Sequence, residues 1–483
     1  METTLPDIQI IAILPEMILA LAACALFIAV PLIHSEKKEV LGVFTIGSLL
    51  LSGVSLVFLW GKEISTFNGM IAIDSYAIFF KLIFLAISIL IVMMSFRYVE
   101  IQRINLGEYY GLILFATIGM MLLPSATDLL SFYLSLELMS MSLYVLTAFM
   151  RKDPRSIEAG IKYFLTGVFA SGVILYGIAF LYGLTGTTQL AGIHEQLAAQ
   201  DLTSSPTLVI AIILMVTGFG FKVAAVPFHM WAPDVYEGSP TPITAFLSAA
   251  SKAAAFSVML RVFIMGLEGS HEIWWQILWL VSVLTMTLGN VVAVVQTNIK
   301  RLLAYSSIAH AGYLLIGLIA GSRVGLTAIM VYLVGYVFMT LGAFTLVILV
   351  CRKGLRGDQI SDLRGLARTH PVVAATFILF ALSLIGIPPT AGFVGKLYLF
   401  NAAIQGGFYW LAIIAILNSA ISLYYYFNIV KVMYMEEPQD TAPLSFSPAL
   451  KVALSVMAFM TLFLGLYPEP IIRSAISSVK IFL

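Results

Sequence analysis

Residues 218–242 read GFGFKVAAVPFHMWAPDVYEGSPTP, and this stretch decides the fold. An apolar segment runs into it carrying one cation, Lys222, and breaks at Pro227 and Pro233 with His229 between them. A membrane helix is rarely broken, because the freed N–H and C=O groups have no water to bond in hydrocarbon. A lysine deep in such a helix is costly and marks a candidate functional site. The stretch therefore predicts part of an ion path.

The composition indicates a helical membrane protein. Of 483 residues, 60% are hydrophobic and only 11% are charged, whereas soluble domains carry about 25% charged residues. Apolar runs of roughly 18 residues or more recur from end to end. The net charge of +1 gives no electrostatic case for a nucleic-acid partner.

The same sequence predicts no cofactor in this chain. Cys24 and Cys351 are far apart, so they supply neither a four-cysteine metal site nor an expected disulfide. A glycine-rich phosphate loop after a strand, which would indicate a nucleotide or a flavin, is also missing from the sequence.

We predict an all-α membrane protein, one polytopic domain over 1–483, with about fourteen transmembrane helices. Each crossing needs roughly 20 residues at about 1.5 Å per residue. The predicted spans are 8–33, 40–60, 73–96, 108–123, 126–149, 157–184, 203–226, 240–264, 272–295, 301–320, 324–351, 372–403, 407–433 and 448–467. The twelfth is too long for one simple crossing and contains Gly386, Pro388 and Pro389, so we expect a second broken helix. The first predicted span lacks the preceding basic segment of a signal peptide, so we expect this span to be retained in the mature protein.

Basic residues predict the orientation, because cytoplasmic loops carry an excess of lysine and arginine. Sixteen of the 26 lie at loops that follow odd-numbered spans: Lys37, Lys38, Arg97, Arg103, Arg151, Lys152, Arg155, Lys300, Arg301, Arg352, Lys353, Arg356, Arg364, Arg368, Lys431 and Lys451. Five lie on the other side: Lys62, Arg261, Arg323, Arg473 and Lys480. We therefore expect the odd-numbered loops in the cytoplasm and both termini on the outer side of the membrane.

A weak internal symmetry predicts two inverted five-helix repeats. Spans 4–8 have a broken fourth member with Lys222, and spans 9–13 have a broken fourth member with Lys396. Inverted repeats with paired broken helices place a transported ion near the midplane. The expected divisions are 1–107 for three N-terminal helices, 108–264 and 272–433 for the repeats, and 448–483 for a C-terminal helix.

Glu137 and Lys222 are the first candidates on the path. Glu137 lies nine residues beyond Asp128, roughly 13 Å along the helix, where a carboxylate must pair or protonate. Burial disfavours the charged form of Lys222 and a nearby glutamate favours it again, so moving the glutamate would move the proton. The alternatives are a structural ion pair for Glu137 and snorkelling to the interface for Lys222.

Lys252 and Lys396 extend the path. Lys252 lies roughly 18 Å beyond Pro240, among small residues that allow close helix packing. Lys396 lies roughly 12 Å beyond Pro388 if the helix resumes there, and we expect it at the far end of the path. The alternatives are a structural ion pair for Lys252 and snorkelling for Lys396.

Two histidines and one lysine are candidate relay or tuning residues. His229 either relays protons, since imidazole titrates near neutral pH, or satisfies carbonyls freed by the break. Lys162 either snorkels or faces Glu137 from the neighbouring helix. His310 is interpreted as a relay within a polar helix stripe of Ser307, His310 and Tyr313.

A second stripe and four other residues are interpreted as structural or surface residues. Tyr332, Tyr336 and Thr340 recur at i, i+4 and i+8, and such hydroxyls either hold water or join helices. Lys81 is interpreted as snorkelling or interfacial, and Asp128, Asp234 and Glu237 as solvated or helix-capping. Glu16, beside Pro15, has no interpretation from the sequence.

Several motifs carry a resemblance to a known family. They are LPE at 14–16, LSLELMSMSLY at 134–144, GFKVAAVPFHMWAPDVYEGSPTP at 220–242, SSIAHAGY at 306–313, GIPPTAGFVGK at 386–396 and NSAISLYYY at 418–426. Together they resemble the subunit N family of bacterial NADH:quinone oxidoreductase, respiratory complex I, over nearly the whole chain. The stretch around Lys222 is specific for the wider antiporter-like superfamily.

The resemblance implies a proton path through helices five, seven, eight and twelve. By motif, its residues fall on Glu137, Lys222, Lys252 and Lys396, with Lys162 and His229 usually counted with them. It also implies fourteen helices, ten of which form two inverted five-helix repeats. The partners it implies are other membrane and peripheral subunits of complex I, which would hold NADH, FMN, iron–sulfur clusters and quinone.

Three functions compete on this sequence. The leading one is a proton-translocating subunit that couples electron transfer from NADH to quinone in other chains to proton pumping. The second is a subunit of a multi-chain Na+/H+ antiporter. The third, a solute permease, is disfavoured because the buried charges form a Glu-and-Lys series without an evident pocket for an organic substrate.

Overall fold

A computed structural model gives the conformation of residues 8–32, 39–102, 104, 107–200, 202, 205–351, 357–438, 444 and 446–482. Helices dominate these ranges. In chain order they are α1 (Leu14–Ala29), α2 (Glu39–Val57), α3 (Ser75–Ile101), α4 (Glu108–Leu122), α5 (Leu129–Thr147), α6 (Pro154–Thr185), α7 (Leu190–Ala199), α8 (Pro206–Lys222), α9 (Trp231–Gly238), α10 (Thr241–Phe246), α11 (Lys252–Leu260), α12 (His271–Ala293), α13 (Ile299–Ile319), α14 (Arg323–Val350), α15 (Leu366–Thr369), α16 (Pro371–Ile385), α17 (Ala391–Gln405), α18 (Tyr409–Met435), α19 (Pro448–Leu466) and α20 (Glu469–Val479).

Twelve helices in the described ranges are long and apolar enough to cross a membrane, which makes the chain a multi-pass membrane protein. Two shorter apolar helices, α8 and α16, fall within the predicted seventh and twelfth spans. The total of fourteen crossings therefore stays a prediction. Residues 33, 203 and 204 of the predicted spans lie outside the described residues, as do Lys37, Lys38, Arg103, Arg352, Lys353 and Arg356 from the orientation argument.

Short polar side chains start several of these helices by binding their unpaired N–H groups. Asp74 accepts from the Ala77 N–H at 2.8 Å and caps α3. Asp128 accepts from the Leu130 N–H at 2.7 Å and caps α5. Asp128 is only 3% exposed. The capping interpretation of Asp128 is therefore confirmed, and the solvated interpretation is wrong.

The first break begins immediately after Lys222, the last residue of α8. The chain leaves the helix at Val223, well before Pro227. We expected Pro233 to interrupt a helix, and this expectation is wrong. Pro233 lies in the first turn of α9, where a proline is tolerated. The carbonyl freed at Phe221 accepts from the Trp231 indole N–H at 3.0 Å, so its bonding capacity is used within the protein.

The second break separates α16 from α17. Gly386 ends α16 in the left-handed region at φ +93°, and a Cβ there would lie 2.8 Å from Cδ of Lys396. Glycine is needed at this position for both reasons. The Gly392 N–H at the start of α17 donates to the Ser383 hydroxyl at 3.0 Å, which ties the two half-helices together.

Several elements were not predicted from the sequence. A hairpin joins β1 (Ile64–Thr66) to β2 (Ile71–Ile73) in antiparallel register, with Ile64 opposite Ile73. The helix α7 lies between the predicted sixth and seventh spans, and the amphipathic helix α20 lies beyond the predicted end of the fourteenth span at residue 467. The predicted eighth span is one continuous helix in which π-helical segments, Leu247–Ser251 and Arg261–Gly266, flank α11.

Candidate functional site

Ser171 joins the first glutamate of the predicted path to its first lysine. Its hydroxyl donates to Oε1 of Glu137 at 2.5 Å and accepts from Nζ of Lys222 at 3.2 Å. Lys222 also donates to the Ser140 hydroxyl at 2.9 Å. Ser140 follows Glu137 by one helical turn on α5, and Ser171 comes from α6. Two helices therefore place hydroxyls around an ammonium at the C-terminal end of α8, where the helix dipole also favours a cation.

Glu137 and Lys222 are connected through this hydroxyl and form no direct ion pair in the described part of the chain. Lys222 is 7% exposed, so its ammonium is held inside the protein. Glu137 is half-buried. An aromatic stack stands at the same helix end, where Trp231 lies 4.7 Å from Tyr163 and 5.3 Å from Phe221 between ring centroids.

Lys252 is held by Ser307 of α13. Its Nζ donates to the Ser307 hydroxyl at 2.5 Å and to the carbonyl of the same residue. That hydroxyl also bonds the Tyr336 hydroxyl at 2.9 Å and the Ser248 hydroxyl at 3.2 Å. Lys252 is 2% exposed and lies 5.5 Å from the centroid of the Tyr336 ring. The lysine is therefore bonded to neutral groups only.

The two polar stripes meet face to face across α13 and α14. Besides the Ser307–Tyr336 bond, Nδ1 of His310 bonds the Tyr332 hydroxyl. The Tyr332 and Tyr336 rings stack with centroids 6.4 Å apart. His310 is buried among them, so the stripes form one continuous polar seam next to Lys252.

Lys396 lies in the second turn of α17, and its side chain bonds the end of α16 across the second break. Its Nζ donates to the Leu384 and Ile385 carbonyls at 3.1 and 2.7 Å, and to the Ser419 hydroxyl at 2.8 Å. These carbonyls are among the last four of α16, which have no partner within the helix. Nζ also lies 4.7 Å from the centroid of the Tyr313 ring, so the last member of the α13 stripe reaches this lysine.

His229 lies inside the first break and is 5% exposed. Its Nδ1 has no hydrogen-bond partner among the described residues. The Phe221 carbonyl is taken by Trp231, so His229 does not satisfy that group. Both interpretations of His229, as a proton relay and as a structural residue, remain predictions.

Lys162 does not reach Glu137. Its Nζ lies 2.7 Å from Asp234 and 2.7 Å from Glu158, and the side chain is 43% exposed. Arg301 pairs with Asp234 at 2.8 Å and with Glu237 at 3.0 Å. Asp234 and Glu237 therefore belong to a half-exposed network and do not act as helix caps. Burial opposes ionisation of Asp234, but hydrogen bonds from Lys162 and Arg301 outweigh it and lower the pKa of this carboxyl.

The structure contains two buried ion pairs that the sequence did not predict. Lys81 is fully buried, with Nζ 2.7 Å from Oε1 of Glu16, so the snorkelling interpretation of Lys81 is wrong. Arg261, which we assigned to the non-cytoplasmic surface, is 1% exposed and pairs with Asp74 at 2.6 Å. In both cases the two charges lie in different predicted spans, 65 and 187 positions apart, so neither pair has a local sequence signal.

No group of three or more His, Cys, Asp or Glu side chains that could hold a metal occurs in the described ranges. Cys24 and Cys351 are not bonded to each other, and Cys351 accepts from the Gln102 amide at 3.1 Å. Each of the three central lysines instead contacts a serine hydroxyl from another helix.

Buried lysines beside interrupted helices define a class of polytopic membrane proteins built around internal ion sites. Comparison with known proteins names the family. A family model described as NADH:quinone oxidoreductase/Mrp antiporter, transmembrane, matches residues 126–422. The chain is 45% identical to NADH-quinone oxidoreductase subunit N of Trichlorobacter lovleyi over 98% of each chain.

Solved structures agree with this assignment. A chain of respiratory complex I from Thermus thermophilus with bound aureothin superposes with a TM-score of 0.81 at 33% identity, covering 95% of this chain and 99% of that one. A chain of the Mrp complex from Dietzia superposes with a TM-score of 0.84 at 21% identity over 98% of each chain, which shows a shared fold alone. This chain belongs to the antiporter-like family of NADH:quinone oxidoreductase and Mrp antiporter membrane subunits.

Proposed function

We propose that this chain is a proton-translocating membrane-arm subunit of NADH:quinone oxidoreductase, respiratory complex I. The observation that carries the proposal is the Glu137–Ser171–Lys222 connection, followed by two more buried lysines that have only neutral partners. The relatives named subunit N, at 45% identity over nearly full length, support the same assignment. The Mrp antiporter alternative has only fold-level structural support.

Glu137, Lys222, Lys252 and Lys396 form the proposed proton path. A proton on a buried lysine is stabilised by whichever carboxylate lies near it, so displacing the carboxylate favours proton release. Ser171 gives Glu137 a way to act on Lys222 without direct contact. Moving one charge against 100 mV costs about 2.3 kcal/mol, which an electron-transfer step in other subunits would supply.

Lys162, His229 and His310 are proposed to relay or tune these transfers. His310 has the geometry for this, because it lies in the seam between the Lys252 site and the ring of Tyr313, which borders Lys396. Lys162 belongs to the half-exposed network with Asp234, which supports a role for it at the surface end of the path.

The architecture is proposed to contain fourteen crossings, with two inverted repeats over 108–264 and 272–433. Helices α8 and α16, which end at the two breaks, occupy corresponding places in these repeats. Residues 1–107 and 448–483 would be additions at the two ends of the chain. In a bacterial inner membrane the basic residues favour both termini on the periplasmic side.

The redox groups are proposed to lie in partner subunits. NADH, FMN, iron–sulfur clusters and quinone would bind there, and this chain would contribute the membrane path. Its partners would be the other membrane and peripheral subunits of the complex.

Purification of the native assembly through a tag on this chain tests the proposal against the alternative. The expected assembly oxidises NADH with a quinone acceptor and acidifies one side of reconstituted vesicles while doing so. An assembly that lacks NADH oxidation but exchanges Na+ for H+ would establish the antiporter reading instead.

A further inference from the structure

A large cavity in the described structure is lined by none of the residues of the proposed lysine path. It measures about 590 Å³ and lies where α3, α14, α19 and α20 meet the end of α2. Its inner part is apolar, with Leu82, Ile83 and Ala86 of α3 facing Val337 and Phe338 of α14. This volume falls within the roughly 300–1,000 Å³ of typical ligand pockets.

The cavity is as deep as one membrane leaflet. Its lining on α3 extends from Ser75 to Ala86, a rise of about 16 Å. The hydrocarbon core of a bilayer is about 30 Å thick, so the cavity reaches about halfway across it. Its lining residue Leu82 is 38% exposed, and Val57 and Phe58, which precede the lining residue Trp60 in the chain, are also exposed. These exposed apolar side chains are suited to contact lipid.

The mouth of the cavity is polar and basic. It is formed by Trp60, Ser75 and the exposed face of α20 with Arg473 and Ser474. Arg473 pairs with Glu469 through Nε at 2.6 Å, and its side chain is 78% exposed, which leaves most of the guanidinium accessible. Trp60 is 65% exposed, and tryptophan is enriched at the level of lipid headgroups.

Helix α20 is fixed over this mouth. Its buried face, with Ile472, Ala475 and Val479, packs inward. The Ser478 hydroxyl donates to the Ser75 carbonyl at 3.2 Å, which anchors α20 to the start of α3. An amphipathic helix held in this way lies in the interfacial plane of a membrane.

We propose that this cavity is a binding site for an anionic glycerophospholipid. One acyl chain fills the apolar slot between α3 and α14, and the phosphate lies at the Arg473 guanidinium, a group whose geometry suits phosphate. The apolar lining excludes a purely polar ligand, because an apolar cavity stays dry but accepts apolar matter. In a membrane, the nearest apolar matter is an acyl chain.

Photolabelling of the intact complex in vesicles tests this site. The probe is phosphatidylglycerol with a photoreactive group in one acyl chain, and the matched probe is phosphatidylcholine labelled in the same way. We expect phosphatidylglycerol to label the 75–86 segment, and Arg473→Gln to lower that labelling about fivefold, since one basic residue near an anionic surface contributes about 1 kcal/mol. Lys480→Gln, which removes an exposed cation near the end of the same helix, serves as the control and should leave the labelling unchanged.

A second variant tests the slot itself. Ala86→Phe, with assembly verified on a native gel, should lower labelling of the 75–86 segment by both probes while labelling elsewhere on the chain persists. Equal labelling by the two probes that Arg473→Gln does not change would overturn headgroup recognition. Absence of label in this segment of the wild-type complex would overturn the proposal.

Discussion

The hydroxyl of Ser171 lies 2.5 Å from Oε1 of Glu137 and donates a hydrogen bond to it. The same oxygen accepts from Lys222, so one neutral side chain couples the carboxylate of α5 to the ammonium of α8. A hydroxyl can donate one bond while accepting another, which alanine cannot do. The hydrogen-bonded connection between Lys222 and Glu137 therefore depends on the orientation of the Ser171 hydroxyl.

Ser171→Ala is expected to uncouple Glu137 from Lys222. Hydrogen bonds to charged groups contribute about 1.5–3 kcal/mol, so we expect the rate of NADH-driven proton pumping to fall by roughly tenfold or more. Ser171→Thr keeps the hydroxyl and should restore most of the pumping. Ser142→Ala is the control, because the Ser142 hydroxyl bonds only the Leu138 carbonyl of its own helix. Equal pumping by the alanine and threonine variants would show that the hydroxyl is not used.

Gly386→Ala is expected to destabilise the second break. The added Cβ would lie 2.8 Å from Cδ of Lys396, and alanine disfavours the φ of +93° found there. Non-glycine residues in such conformations cost about 1–3 kcal/mol. The measurement is the thermal stability of the purified complex. Gly183→Ala is the matched change on exposed α6, where nothing lies within 4 Å of the new Cβ, and it should not lower stability. A Gly386→Ala complex as stable as wild type would contradict the steric account.

The Glu16–Lys81 pair is expected to behave as a buried ion pair. Removing one partner leaves an unpaired buried charge and costs about 3–5 kcal/mol, whereas replacing both with neutral residues is often tolerated. We therefore expect Lys81→Met alone to lower the thermal stability of the complex more than Lys81→Met combined with Glu16→Gln. If the double variant is no more stable than the single one, the two charges do not depend on each other.

Exposed and buried cations should differ sharply in their effect on stability. Lys162 is 43% exposed and pairs with two carboxylates at the surface, so Lys162→Gln should cost no more than about 1 kcal/mol. Arg261 is 1% exposed and paired with Asp74, so Arg261→Gln should cost about 3–5 kcal/mol. Unfolding of both complexes in parallel by heat or denaturant would measure the difference. Equal losses would show that the exposure of these pairs does not control their contribution.

The sequence predicted the elements that carry strong local signals. A lysine next to prolines in an apolar run identified the broken helix at Lys222, and the motif GIPPTAGFVGK identified the break before Lys396. The predicted position of the first break was less exact. The helix ends at Lys222 and not at Pro227, and the Trp231 indole, which is distant from local helix signals, bonds the Phe221 carbonyl there.

Other features have no local signal. Ser171 resembles any serine that joins packed membrane helices, so only the fold shows that it contacts both Glu137 and Lys222. Lys81 was misread because its partner, Glu16, lies 65 positions earlier in the chain and on another helix. The same holds for Arg261 and Asp74. Pairing between distant helices is set by packing, which periodicity and spacing do not contain.

The measurement that tests the central claim most directly is proton pumping by membrane vesicles whose complex carries Lys222→Ala. NADH-driven proton uptake and electron transfer are measured together, after assembly has been verified on a native gel. Alanine removes the ionisable group while favouring the helix. We predict that pumping falls in an intact complex. Normal pumping together with normal electron transfer would show that Lys222 is structural, and would contradict the proton path through the broken helix α8.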